Sequence, residues 1–435
     1  MEIWKLSQVC DINPKKTVPL SPDTIITFIP MESVSTTGFV DYSQTISVSS
    51  IKSYSVFKND DVLFAKITPC MENGKGAIVS NLLNGYGAGS TEFIVLRPHL
   101  EQITREWLFY FLSQKAFRLQ CQGNMTGSAG QKRVPAKYLS ECTIPVPPLP
   151  EQQRIVARIE ELFSQLDAGV ETLKKTKQQL EVYRQAVLKE AFEGKLTSMW
   201  RNQPRDISPK TDYESIRIID PIYKDIAGDE NEIHLDLPST WLKLRIGDVF
   251  SVEVGATPSR QVPEYWKGNI NWVSSGEVQF SHIYRTKEQI TDEGLAHAST
   301  KIQPVGTVML AMIGEGKTRG QAAILKVPAA HNQNTAAILV SMTPCQPEYL
   351  YYFFQLNYEN TRRVGSGNNQ KALNKERVRA LHFPFASFDE QREIVSEIES
   401  RLSVCDAIEK TIITTLQQTD SMRQVVLKQA FEGRI

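Results

Sequence analysis

The sequence has no uninterrupted apolar run near the about 20 residues that span a bilayer, and its start, "MEIWKLSQVC", lacks the apolar core of a secretory leader. The chain is therefore expected to work in the cytoplasm, away from membranes. Cysteine is sparse: Cys10, Cys70, Cys121, Cys142, Cys345 and Cys405 form no CxxC pair and have no histidine at ligand spacing, so neither a disulfide framework nor a zinc site is indicated. The six histidines make no HxxxH or HExxH pair, and no GxSxG nucleophile elbow occurs. There is no glycine-rich cofactor loop and no NPPY-like or DPPY-like tetrapeptide. An excess of either charge sign is also missing, since 49 Lys and Arg balance 49 Asp and Glu. That balance argues against a uniformly basic coat and leaves local patches open.

Two near-motifs fail on inspection. "AMIGEGKT" resembles a phosphate-binding GxxxxGK loop, but Ala311 stands at the first glycine and "RGQAAILKV" reads as a returning strand where a helix is required. Glu315 and Lys317 make an ExK pair, yet the Pro-Asp pair, Pro22-Asp23, lies far away in the other half of the chain. No catalytic centre, cofactor or metal site is expected in this chain.

What the sequence does contain is itself, twice. "VLKEAFEGKL" from Val187 returns as "VLKQAFEGRI" from Val426, and with the same shift of 239 positions "LPEQQRIVARIEELFSQLD" from Leu149 meets "FDEQREIVSEIESRLSVCD" from Phe388. Upstream, "VLFAKI" matches "VMLAMI" and "WLFYFL" matches "YLYYFF" with small changes of register. Solenoid repeats have periods of about 20 to 50 residues, so this is a duplicated domain. At 435 residues two or three cores are expected in any case.

The constant part of each copy reads as one long helix. In the first, Ile159, Leu166, Leu173, Leu180 and Val187 recur every seven residues, with Ile155, Leu162 and Tyr183 interleaved and interruptions at Gly169 and Thr176. In the second, Ile394, Ile398, Cys405, Ile412 and Val426 take the matching places, with polar Thr415 and Thr419 in the seam. Each stripe needs a partner, and the other copy supplies it, which predicts an antiparallel coiled coil of roughly 60 to 70 Å at about 1.5 Å per residue. Ser387 and Glu390 fit a capping box, Pro150 a first turn, and Gly194 and Gly433 a left-handed stop.

The variable halves mix short β-rich runs with one aromatic helical stretch each, which predicts α+β domains with the helix on a sheet face and its aromatics in the core. The organisation read is a globular half at 1–148, a long helix at 149–197, a polar, turn-rich connection at 198–237, a second globular half at 238–386 and a second helix at 387–435, an internal pseudo-two-fold.

After each aromatic stretch comes a glycine-rich, locally basic segment. The first offers Thr126, Gly127, Ser128, Gln131, Lys132 and Arg133; the second offers Arg362, Arg363, Ser366, Asn368, Asn369, Gln370 and Lys371. Glycine lets backbone N–H groups approach phosphate, Lys and Arg neutralise it, and Asn, Gln and Arg make paired contacts to base edges. Hairpin loops add Lys66, Asn73 and Lys75 in the first half and Lys317, Arg319 and Gln321 in the second. The turns "GAGST" with Thr91 and "HNQNT" with Asn334 are of the same polar kind. A solvated loop is the bland reading of any one segment; recurrence at matching places favours double-stranded DNA.

Two variable units, each followed by "PLPEQQRIVARIEELFSQLD…RQAVLKEAFEGKLT" or its near copy, resemble the specificity subunit of type I restriction-modification enzymes over essentially the whole chain. The resemblance implies two target recognition domains, each reading half of a bipartite DNA sequence, with the helices as an antiparallel spacer across unread bases. It implies two adenine methyltransferase subunits that use S-adenosylmethionine as partners and, through them, ATP- and magnesium-dependent restriction subunits. The rival reading is a coiled-coil scaffold joining two protein-binding domains. One departure stands out: the second copy has "FPFASFDEQRE" where the first has "PVPPLPEQQR", so its helix exit angle is open to change.

Overall fold

A computed structural model describes residues 2–128, 130–204, 208–218, 234–314, 316–363 and 373–435. The chain folds as two compact units. The first comprises Met1–Lys175 with Ile412–Ile435, and the second Thr176–Thr411. Each unit therefore holds one globular half, the beginning of that half's own long helix, and the end of the other long helix.

In the first unit the strand Glu2–Lys5 pairs antiparallel with Thr143–Val146, and a four-stranded sheet runs in the order Cys10–Ile12, Phe93–Pro98, Val62–Ala65, Gly76–Ile78. A second four-stranded sheet places Ile25–Ile29 and Tyr86–Gly89 at its centre. The second unit repeats this plan. Leu242–Arg245 pairs with His382–Phe385, and its main sheet runs Val252–Val254, Thr335–Ile338, Val308–Ala311, Ala322–Leu325, with Ser281–Ile283 added at the edge. A three-stranded sheet built on Trp266–Val273 completes it. Of these second sheets only the strand Ser55–Lys58 falls in a β-rich run read from sequence; the other strands have no counterpart there.

The aromatic helical stretches are core, as their composition predicts: Trp107, Leu108 and Phe111 in one, and Tyr349, Phe353 and Phe354 in the other, are buried. Each stretch is broken rather than continuous. Arg105–Ser113 gives way to Lys115–Gly123 at Gln114, whose backbone is extended, and Pro347–Leu356 gives way to Tyr358–Arg363 after Asn357. The connection is more than a tether, because Pro209–Ile216 forms a helix whose Tyr213 ring meets Phe385 at 6.3 Å and whose Asp212 accepts the Phe388 N–H at 2.8 Å.

The long helices run Leu149–Phe192 and Phe388–Phe431. Within the first unit Phe163 and Asp167 both meet Arg423, whose guanidinium lies 4.9 Å from the Phe163 ring centre, and Arg154 reaches Ile435. Within the second unit Lys177 pairs with Glu409 at 3.4 Å, and Arg184, further along, bonds Asp406 at 2.6 Å and Glu409 at 3.2 Å. In both, residue numbers rise on one helix as they fall on the other, so the pairing is antiparallel.

Ile155, Ile159, Leu180, Val187, Ile394, Ile398, Cys405, Ile412 and Thr419 are buried in the seam, and Leu162, Leu166, Leu173 and Val426 are half-buried. Tyr183 does not belong there: it is 48% exposed, and its neighbour Arg184 takes the inward place. Val170, half-buried where Gly169 is exposed, shows the same slip of one position. An α-helix has 3.6 residues per turn, so a strict seven-residue count drifts by about 20° per heptad and the buried stripe steps forward to follow.

Both helix starts are locked by one buried glutamine. Gln152 donates to the Pro147 carbonyl at 2.8 Å and accepts the Thr104 N–H at 2.9 Å. Gln391 does the same with Ala386 at 2.9 Å and the Gln346 N–H at 3.3 Å. The two starts thus share their bonding although only the first carries the prolines. The proposed capping box is half formed: Ser387 accepts the Glu390 N–H, but Glu390 turns away to Thr197, Arg201 and the Trp241 indole, at 2.8 to 2.9 Å. A buried carboxylate takes three donors there, which a return to its own helix start would forfeit.

Both helices stop on a left-handed glycine, Gly194 at φ +68° and Gly433 at φ +70°. Lys195 and Arg434 then donate back to Glu190 and Gln429, closing the same six-residue turn. The preceding phenylalanines are the anchors. Phe192 packs on Tyr349 and Phe353, with ring centres at 5.0 and 5.5 Å, and Phe431 packs on Trp107 and Phe111 at 4.2 and 5.6 Å.

Candidate nucleic-acid interface

Sheet strands of the first unit deliver three of the singled-out segments to one place. The hairpin loop 66–75 joins Val62–Ala65 to Gly76–Ile78, and Ser90 and Thr91 lead into Phe93–Pro98. The glycine-rich segment 126–133 lies across them through bridges of Arg133 to Thr126 and to Ile67. Main-chain bonds stitch the three: Lys66 N–H to Glu92 at 2.9 Å, Thr68 N–H to Lys132 at 3.0 Å and Val134 N–H to Lys66 at 2.9 Å.

On this surface Asn73, Thr91, Thr126, Gly127, Ser128, Gln131 and Lys132 are exposed, and Lys66, Lys75 and Arg133 are half-buried. Lys75 points its ammonium at the Met31 carbonyl, 2.9 Å away. Arg133 is held by Glu92 through bonds of 2.8 to 3.1 Å, and the guanidinium holds the Glu92 carboxyl below the usual carboxylate range. Beneath the hairpin loop, buried Arg118 donates to the Met71 carbonyl at 2.8 Å and stands 4.9 Å over the Phe64 ring. Burial pushes that guanidinium down to about 10.

The turn "GAGST" is polar only at its end. Gly87 and Gly89 lie in the buried strand Tyr86–Gly89, where a Cβ on Gly89 would sit 2.1 Å from the Ile29 carbonyl oxygen and one on Gly87 2.3 Å from the Phe57 ring. These glycines serve strand packing, and only Ser90 and Thr91 reach the surface turn.

The second unit repeats the convergence. Strands Val308–Ala311 and Ala322–Leu325 form an antiparallel hairpin, so the GEGKT stretch does lead into a returning strand. Met312 N–H bonds the Asn334 carbonyl, and Leu373 N–H bonds Met312, at 2.9 and 3.0 Å. Arg362 donates to the Gly316 carbonyl at 2.6 Å, and the Tyr358 hydroxyl bonds the Lys317 carbonyl. Lys317 is exposed; Arg319, Gln321, Asn334 and Arg362 are half-buried. The Nε atoms of Arg319 and Arg362 are both buried with no partner among the described residues. Only the backbone of Arg363 is described, and Ser366, Asn368, Asn369, Gln370 and Lys371, with Glu315, lie outside the described residues.

"HNQNT" is mostly interior. His331, Asn332 and Thr335 are buried, His331 sharing a 2.9 Å bond with the Thr335 hydroxyl, and burial pushes its imidazole down to about 4. Asn332 accepts the Asn334 N–H at 3.1 Å, and exposed Gln333 takes a 2.6 Å bond from Thr257. Glu92, Thr257 and Tyr358 carry no sequence signal as site residues, because nothing local in the sequence marks a pairing across 41 or 76 positions.

Comparison with known proteins places these observations. The family model described as Type I restriction modification DNA specificity domain matches residues 1–182 and again 238–418. The chain is 42% identical over 167 residues to the Type I restriction enzyme EcoAI specificity subunit of Escherichia coli, a match covering 37% of this chain and 28% of that subunit. It is 25% identical to the EcoEI specificity subunit of Escherichia coli across 95% of this chain and 79% of that one. Among solved structures, the HsdS subunit from Thermoanaerobacter tengcongensis shares the fold at a TM-score of 0.61 and 18% identity, covering 100% of this chain and 97% of that one. A chain solved in work on complex assembly and conformational transition of the type I R-M system does so at 0.72 and 18%, covering 100% and 98%. With the family's domain matched twice, over the two halves that the fold duplicates, the chain belongs to the type I restriction-modification DNA specificity family.

Proposed function

We propose that this chain reads DNA for a type I restriction-modification complex, one unit reading each half of a bipartite target, with the bases between them unread. One observation carries this most directly: in the first unit the sheet delivers a hairpin loop, a strand-leading turn and the post-helix segment to one polar, cation-bearing surface, and in the second the same sheet order brings the matching hairpin loop and the turn at Asn334 together beside Arg362 and Leu373. Exposed side-chain amides and hydroxyls serve base edges, while Lys and Arg serve phosphate.

The chain carries no catalytic group in this reading and no cofactor of its own. It works in the cytoplasm and presents the duplex to two adenine methyltransferase subunits, which bring S-adenosylmethionine and flip the target base. Restriction subunits with ATP and magnesium join through them. The outward flanks of the paired helices are the surface for the methyltransferase subunits, and Tyr183, Val404 and Ile408 are exposed apolar residues there.

Selecting random-sequence duplexes with the full chain, alone and with its methyltransferase subunits, tests the proposal. A split motif of two unlike half-sites separated by a fixed unread gap is expected. No enrichment in either setting would favour the scaffold reading instead.

A further inference from the structure

Within the first loop cluster stands a negative charge that a surface built only to hold phosphate would lack. Glu92 sits between exposed Thr91 and the start of Phe93–Pro98, its side chain 23% exposed. Arg133 grips it with Nε bonds of 3.1 and 2.9 Å to the two carboxylate oxygens and an Nη2 bond of 2.8 Å, and donates a fourth bond at 3.0 Å to the Gln131 carbonyl. The Glu92 main chain is fixed too, since its carbonyl accepts the Lys66 N–H. Carboxylate and guanidinium are thus preorganised side by side, amid residues that face solvent.

DNA seated on this surface strips water from both groups. A desolvated carboxylate is costly unless donors replace the lost hydration. Phosphate oxygens offer none. In the major groove the donors are the amino groups of adenine and cytosine, whereas guanine and thymine edges present acceptors. An acid placed here penalises every duplex that fails to bring an amino group to it, and the adjacent Arg133 has the opposite preference.

We infer that Glu92 is a specificity-determining residue: its carboxylate accepts the amino group of an adenine or cytosine in one half-site, with Arg133 beside it donating to a neighbouring acceptor. This rests on the proposed reading of DNA by the two loop clusters. Negative charge in the reader then has a purpose, which is to weaken binding to the wrong sequence.

The test is selection from random duplexes with the full chain, comparing wild type with Glu92→Gln. Glutamine keeps an acceptor for Arg133 and adds a donor. The wild-type motif is expected to hold an adenine or cytosine that the variant relaxes by about ten-fold or more, admitting guanine or thymine there. The other half-site, which reports a folded protein, keeps its preference. Unchanged preferences at every position overturn the inference, as does loss of both half-sites together with a lowered melting temperature, which marks Glu92 as a structural support. If wild type itself enriches no split motif, the proposed function fails first and the inference with it.

Discussion

Lys132 and Arg133 are neighbours of equal charge in different circumstances. Lys132 is exposed, whereas Arg133 is tied to Glu92. Lys132→Ala is therefore expected to weaken binding to all duplexes alike and to reduce the slope of log affinity against log salt by about one, read from titrations at several salt concentrations. His331 makes a different prediction. Its imidazole is held near 4 by burial, below the about 6.5 of an unfolded chain, so the unfolded state takes up the proton first. Stability from this residue is present above about pH 6.5 and falls progressively as pH drops towards 4, by up to about 3 kcal/mol. Urea unfolding from pH 7 to 4 should show this loss in wild type and a shallower one in His331→Gln. "HNQNT" illustrates why residue roles resist sequence reading: polarity suggests a solvated turn, but His331, Asn332 and Thr335 are buried and bond within the turn.

At the scale of elements, the repeated helix ending has a physical explanation. "AFEG" supplies an aromatic anchor and a left-handed stop, and each anchor enters the hydrophobic core that holds the other copy's aromatic helix. Phe192→Ala is expected to destabilise the second unit by about 3–5 kcal/mol, because a fully buried ring leaves a cavity. Phe431→Ala should cost less, since Phe431 is only half-buried. Chemical unfolding of the two variants checks both. The helices and their stops were legible because periodicity and glycine are local signals. Gln152 and Gln391, which lock the helix starts, were not. A glutamine in "EQQR" or "DEQR" looks like any solvated helix residue until the carbonyl it bonds is in place.

For the whole molecule, the duplication is what matters in the proposed function, where two unlike readers on one chain recognise a target that neither reads alone. Adding four residues, about one helical turn, to both long helices is expected to change the length of the unread gap selected from random duplexes and to leave both half-sites unaltered. A fixed gap with altered base preferences would remove the helices from that role.

By itself the sequence determined the duplication, the α+β character of each half, the two long helices and the places where glycine ends them. These follow from period and composition, which are properties of neighbouring residues. Tertiary structure alone decided which side chains face inward as the seam drifts, which turns are interior, and that Glu92 confronts Arg133 across 41 positions. Such choices depend on what the chain brings together from far apart, and a pattern read along the chain does not contain that distance.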